Sequence, residues 1–135
     1  MKHLTRFDHI GYAVKDIKKT AAVYLAGGYK LSETFEEKVQ NTKIAFLTKE
    51  GFPTIELVSP LDGESPVDGF LEKIGVTPYH LCYEVDDIDD AFKDMCEEGF
   101  IPLFMPVESI AMDNRKICYL FNRKVGYIEI VNSKK

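Results

Sequence analysis

The sequence predicts an α+β fold, two tandem β-α-β-β-β modules forming a curved, mostly antiparallel sheet around a cavity. Three observations predict it. First, the chain repeats itself at a shift of 71 positions (80 − 9), so that His9 meets His80, Tyr12 meets Tyr83, Val14 meets Val85, Asp16 meets Asp87, Ile17 meets Ile88 and Gly28 meets Gly99. Second, Ile55-Glu56-Leu57-Val58 falls on Ile128-Glu129-Ile130-Val131 at a shift of 73 (129 − 56). Third, each repeat reads as an alternating strand, a capped helix stopped by glycine, and three more strands. One helix can cover only one face of a four-stranded sheet. Two such halves related by an approximate twofold would close their bare faces around a shared cavity.

The first strand covers residues 7–14, where apolar residues alternate with smaller or polar ones. Ile10, Tyr12 and Val14 point toward the helix, and His9, Gly11 and Ala13 point the other way. Asp16 caps a helix from Ile17 to Ala26, whose apolar positions Ile17, Ala21, Tyr24 and Leu25 follow helical spacing. Gly27-Gly28 ends it. Strands follow at 30–35, 42–48 and 54–58, with Lys49-Glu50-Gly51-Phe52-Pro53 as the turn before the last. Residues 60–77 are a linker punctuated by Pro60, Gly63, Pro66 and Gly75, with a short helix at 67–74. The second module repeats the pattern. A strand at 79–85 leads to a helix capped by Asp87 and ended by Gly99, then strands near 100–104, 116–121 and 127–131. Residues 105–115 read as an unpatterned loop of the kind that lines a pocket. The whole is one domain, 1–135, with module one at 5–59 and module two at 78–133.

A chain of 135 residues is long enough for one proper core, and its 45% apolar and 29% charged content is ordinary for a soluble domain. A net charge of −5 offers no basic footprint for nucleic acid. Apolar runs are too short for a membrane span, and Met1-Lys2-His3-Leu4 enters the first strand without a signal-peptide core. Three cysteines, Cys82, Cys96 and Cys118, argue against a disulfide framework and for a reducing cytoplasm.

His9, Glu56, His80 and Glu129 occupy equivalent places in the two modules and are expected to converge near the pseudo-twofold. Burying two imidazoles and two carboxylates together is costly unless a cation compensates. A carboxylate inside an apolar strand, repeated in its sister strand, is hard to explain as a solubility device. The set predicts a divalent metal site. Nitrogen and oxygen donors without thiolate suit nickel, cobalt, zinc, manganese or iron, and the affinity order favours nickel over cobalt, iron and manganese. Any of the four alone would more often be structural. Cys82 shares the His80 face and reads as a small buried filler. Glu84 is expected exposed near a strand end, His3 exposed in the tail, and Lys15, Lys18 and Lys19 a solvated helix face.

The paired modules and the His-Glu-His-Glu order resemble the vicinal oxygen chelate superfamily over essentially the whole chain. Within it the four positions are similar to the metal ligands of bacterial glyoxalase I. Glu56-Leu57-Val58-Ser59-Pro60-Leu61, the run Ser65 to Leu71 and His80 to Ile88 are similar to methylmalonyl-CoA epimerase. The glyoxalase resemblance implies a metal-dependent lyase, with Ni2+ first and Co2+ or Zn2+ as alternatives, in a cytoplasmic homodimer. It would convert a methylglyoxal–thiol hemithioacetal to a lactoyl thioester, with Glu129 as catalytic base and Glu56 its symmetry mate. Arg115, Lys116 or Arg123 would meet an anionic part of the thiol. Against this, the arginine four residues after the first ligand is Ala13 here, and the asparagine four after the second is Pro60; both help hold glutathione in that family. The epimerase resemblance implies a CoA thioester and two bases, the non-ligand one a glutamate just before the third strand. Aligning on Phe46 puts Val39 or Gln40 there, with Glu36 and Glu37 one small gap away. A third expectation is an antibiotic-binding resistance protein of similar fold.

Overall fold

The structure is a computed structural model and describes residues 1–134. Among them the order is β1 (Leu4–Ala13), α1 (Ile17–Leu25), β2 (Lys30–Leu31), β3 (Phe35–Glu37), β4 (Thr42–Thr48), β5 (Thr54–Pro60), α2 (Asp68–Lys73), β6 (Thr77–Val85), α3 (Ile88–Glu97), β7 (Ile101–Pro102), β8 (Val107–Ser109), β9 (Arg115–Asn122) and β10 (Gly126–Asn132). A 3-10 turn at Ile110–Met112 lies between β8 and β9. The α+β class predicted from the repeat is therefore the observed one. Two expectations are corrected. The strand expected at 30–35 is two short strands, β2 and β3, both paired with β4. The loop expected at 105–115 contains β8 and the 3-10 turn, with β8 paired to β9.

The chain packs as two units, His9–Tyr79 and Met1–Asp8 with His80–Lys135. In the first, strands run in the order β2-β4-β5-β1; β5 is parallel to β1 and antiparallel to β4. Its core is Val14, Ile17, Ala21, Ala45, Leu47, Ile55 and Leu57, the helix-facing set that the strand period assigns. In the second the order is β6-β10-β9-β7, with β10 parallel to β6 and antiparallel to β9. Val85, Ile88, Ala91, Met95, Leu120, Ile128 and Ile130 fill its core, and Met1 and Leu4 pack against it.

The helices begin and end alike because their boundary residues repeat. The Asp16 carboxylate accepts from the Lys19 N–H at 3.1 Å, and Asp87 accepts from the Asp89 and Asp90 N–H groups at 3.0 and 3.2 Å. Such caps contribute about 1 kcal/mol each. At the other end the N–H of Tyr29 donates to the Tyr24 carbonyl, and that of Phe100 to the Met95 carbonyl. This six-residue closure needs a left-handed residue just before the donor. Gly28 (φ +92°) and Gly99 (φ +101°) supply it.

Long-range pairs alter three expectations. His3 is not a free tail residue: its Nε2 lies 2.5 Å from Asp94 Oδ2, and that hydrogen bond holds the Asp94 carboxyl below its usual range. Glu84 is half-buried rather than exposed, 3.4 Å from Arg115 Nη1. Arg115 is committed to structure, donating also to the Met112 and Asn132 carbonyls at 3.0 Å each. It is therefore held by its own unit rather than left for an anionic thiol. No helix among the described residues is long and apolar enough to cross a membrane.

Candidate active site

In the first unit, the register His9↔Thr54, Gly11↔Glu56 sets His9 and Glu56 on the same face of adjacent parallel strands. His9 Nε2 and Glu56 Oε1 are 3.3 Å apart, and both residues are buried. In the second unit, Tyr127↔His80 and Glu129↔Cys82 do the same for the other pair. His80 Nε2 and Glu129 Oε1 are 3.0 Å apart, again fully buried. The structure thus brings His9 to Glu56 and His80 to Glu129 as the repeat predicts. Cys82, opposite Glu129 on the same face, is completely buried, in keeping with the filler role.

Each pair also has an aromatic partner that sequence reasoning missed. Phe46 lies directly across from Glu56 and sets its ring edgewise to His9, with centroids 5.8 Å apart at 72°. Tyr119 lies across from Glu129 and takes the same position against His80, at 4.9 Å and 64°. The signal was available: 46 and 119 differ by the same 73 as the two glutamates.

The donors fit a divalent ion. Nitrogen and carboxylate oxygen ligands each sit about 2.0–2.2 Å from zinc-sized ions. Two of them at right angles are then about 3 Å apart, the spacing found within each pair.

A third buried carboxylate lies in the first unit. Phe35↔Ile44 and Glu37↔Thr42 place Glu37 on the face of Thr42, Ile44 and Phe46, which the pairing Phe46↔Glu56 shares with Glu56. Glu37 is 3% exposed, and its Oε2 accepts from the Val39 N–H at 2.9 Å. Glu36, opposite Lys43, points to the other side and is exposed. Val39 and Gln40, where aligning on Phe46 places the second base, lie beyond the end of β3, whereas Glu36 and Glu37 lie in it.

Paired modules with a buried His-Glu couple in each half define a class, and the comparisons agree on it. Residues 8–119 match the Glyoxalase/Bleomycin resistance protein/Dioxygenase superfamily, and the chain belongs to that superfamily. Among its relatives the human mitochondrial methylmalonyl-CoA epimerase is 35% identical over 126 residues, covering 92% of this chain and 70% of that protein. The crystal structure of methylmalonyl-CoA epimerase from Mycobacterium tuberculosis superposes with a TM-score of 0.85 at 26% identity, covering 98% of this chain and 91% of that one. A variant of the Streptomyces coelicolor methylmalonyl-CoA epimerase, in complex with 2-nitronate-propionyl-CoA, gives 0.82 at 28%, covering 98% and 99%.

These findings overturn the glyoxalase I expectation, and with it the lactoylglutathione lyase and methylglyoxal-detoxification roles. The relatives are epimerases, so they indicate an enzyme, and not a lyase. Ala13 and Pro60 had already marked the departure, since neither can replace the polar side chains that hold glutathione in that family.

Proposed function

We propose that the chain is an epimerase that inverts the acidic carbon between the two carbonyl groups of a CoA thioester, with methylmalonyl-CoA as the substrate. The observation that carries this reading is Glu37, a buried carboxylate outside the two His-Glu pairs and on the Glu56 face. Isomerising a hemithioacetal needs one base, which removes a proton and returns it nearby. Inverting a carbon needs two, one on each side. The similarity to epimerases supports the same assignment.

In this reading Glu37 and Glu129 are the two bases. One takes the proton from C2 as the C–H electron pair moves into the thioester carbonyl. The other, protonated, delivers a proton to the opposite side of the same carbon. Each turnover leaves the pair of carboxyl groups with one proton between them, the ownership exchanged. Glu56 keeps its place beside His9 and takes no proton. His9, Glu56, His80 and Glu129 would hold a divalent cation, with Ni2+, Co2+ or Zn2+ suited to the donor set. When bound, such an ion supplies charge stabilisation to oxygens that become negative as a carbon acid ionises. The aromatic edges of Phe46 and Tyr119 hold the histidine rings at a fixed tilt and keep the surroundings dry, which strengthens charge–charge interactions there.

The test is solvent exchange. Protein stripped of metal and reconstituted with each of the three ions is given methylmalonyl-CoA in D2O. Starting from one C2 epimer, deuterium should appear at C2 together with the other epimer. No incorporation with any of the three ions would remove the proposal.

A further inference from the structure

We propose that Asn41 is the positioning residue for Glu37, fixing the turn that holds this carboxylate on the Glu56 face; its role in turnover rests on the epimerase reading above. β3 has three residues, and among the described strands it pairs only with β4. So short a strand, paired on one side, has little of its own to keep a side chain in place. At its start Phe35 sets its ring edgewise to Phe46, with centroids 6.5 Å apart at 67°. At its end stands Glu37, followed by the turn 38–41 that leads into β4.

Two linked contacts hold that end. The Val39 N–H donates to Glu37 Oε2 at 2.9 Å, although Val39 is 75% exposed. This bond engages one carboxylate oxygen and leaves Oε1 for the proton, since a carboxyl group carries its hydrogen on one oxygen and accepts with the other. Asn41 then anchors the turn that presents the Val39 N–H. Its Nδ2 donates to the Asp62 and Glu64 carbonyls, and its Oδ1 accepts the Asp62 N–H at 3.2 Å. Its backbone carbonyl accepts the Leu61 N–H at 3.1 Å.

One residue thus ties the turn to the segment 61–64, just past the end of β5, and every one of these contacts lies within the first unit. Asn41 is left-handed, φ +56°, a conformation asparagine tolerates better than most side chains. The contacts form a sequence: Asn41 fixes the turn, the turn presents the Val39 N–H, and that N–H fixes Glu37. Misplacing a reacting group by about 1 Å costs about 10²-fold in rate. A loosened turn therefore weakens the proton transfer assigned to Glu37 and spares the one assigned to Glu129.

Asn41→Gly tests this, because glycine enters the left-handed region freely and only the three side-chain bonds are lost. The first measurement is amide hydrogen exchange followed by NMR. The Val39 N–H should exchange faster in the variant, while the Ile128 and Ile130 amides of β10 keep their rates. The second is C2 proton exchange in D2O, started from each purified epimer of methylmalonyl-CoA. Exchange of the epimer that Glu37→Gln leaves inert should fall about tenfold in Asn41→Gly, and the other epimer should keep its wild-type rate. Net interconversion cannot make this distinction, because a fixed equilibrium constant makes both directions fall together. Asp87→Ala removes a helix cap in the second unit and should leave the ratio of the two exchange rates unchanged, which separates positioning from general destabilisation. Asn41→Ser keeps a donor and should shift the ratio the same way by less; it carries the test if Asn41→Gly does not fold. An unchanged Val39 rate, or equal slowing of both epimers, overturns the proposal. Absence of C2 exchange in the wild type removes the epimerase reading and the role in turnover with it, and the Val39 rate then decides by itself whether Asn41 holds the carboxylate.

Discussion

Replacing Glu37 by Gln tests the proposed pair of bases. The substitution keeps the shape and keeps an oxygen that can accept the Val39 N–H now held at 2.9 Å. The fold should therefore lose less than about 1 kcal/mol, the size of one ordinary hydrogen bond. What is lost is the proton acceptor. General acid–base catalysis contributes about 10²–10⁴ in rate, a barrier increase of about 3–5 kcal/mol. The loss should not fall equally on all measurements. In the proposed assignment Glu129 still faces one side of C2, so one C2 epimer should exchange its proton with solvent deuterium and retain configuration. The other epimer should do neither. Each purified epimer, incubated in D2O and followed by NMR for label and by chromatographic separation of the epimers for inversion, reads both quantities at once. Inversion within tenfold of wild type would refute the assignment of Glu37. Equal loss of exchange for both epimers would mean that the two carboxylates do not face opposite sides.

Other outcomes follow from the same structure. Chelation should lower the melting temperature and metal return should restore it, since a ligand at a thousandfold its Kd stabilises by about 4 kcal/mol; an unchanged melting curve would argue against a structural ion. Asn41 (φ +56°) donates to the Asp62 and Glu64 carbonyls and accepts from the Asp62 N–H, so Asn41→Ala should cost about 2–4 kcal/mol in denaturant unfolding. Arg115→Lys should destabilise almost as much as Arg115→Ala, because a lysine cannot reach the Met112 and Asn132 carbonyls from one rigid fork. Burial pushes the Cys118 thiol from 9.0 up to about 12, so the folded state prefers it protonated. That preference stabilises the fold fully below the ordinary thiol range and fades as the pH climbs toward 12. Cys118→Ala should flatten the alkaline unfolding profile in that window, and native protein at pH 8 should resist alkylation at this position.

Most of the scaffold was legible because it is encoded twice. Asp16 and Asp87 announced both helices, and both cap as expected. Strand alternation around His9 and Glu56 gave the faces correctly, since a period of two leaves no freedom once one side is apolar. What escaped the sequence was set by partners far along the chain. His3 and Asp94 are 91 residues apart and Arg115 and Glu84 are 31 apart, and no local pattern links either pair. Glu37 escaped for a different reason. Glu36, Glu37 and Lys38 look like a solvated charge run, and only pairing with Thr42 turns the middle one inward. Ligand-type residues report what an ion needs and are silent on whether a reaction isomerises or inverts, so the four positions carried no information against the glyoxalase expectation.

The allotment of the first eight residues has a consequence for how such a chain can be divided. Met1 and Leu4 fill part of the core around Met95, although α1, β4 and β5 separate them from it in sequence. A gene fragment starting at Thr77 would carry the second helix and its strands with that gap left open. A stand-alone half would have to borrow the missing ribbon from another molecule. Fusion in tandem supplies it within one polypeptide, because β1 gives its first residues to one unit and its last to the other.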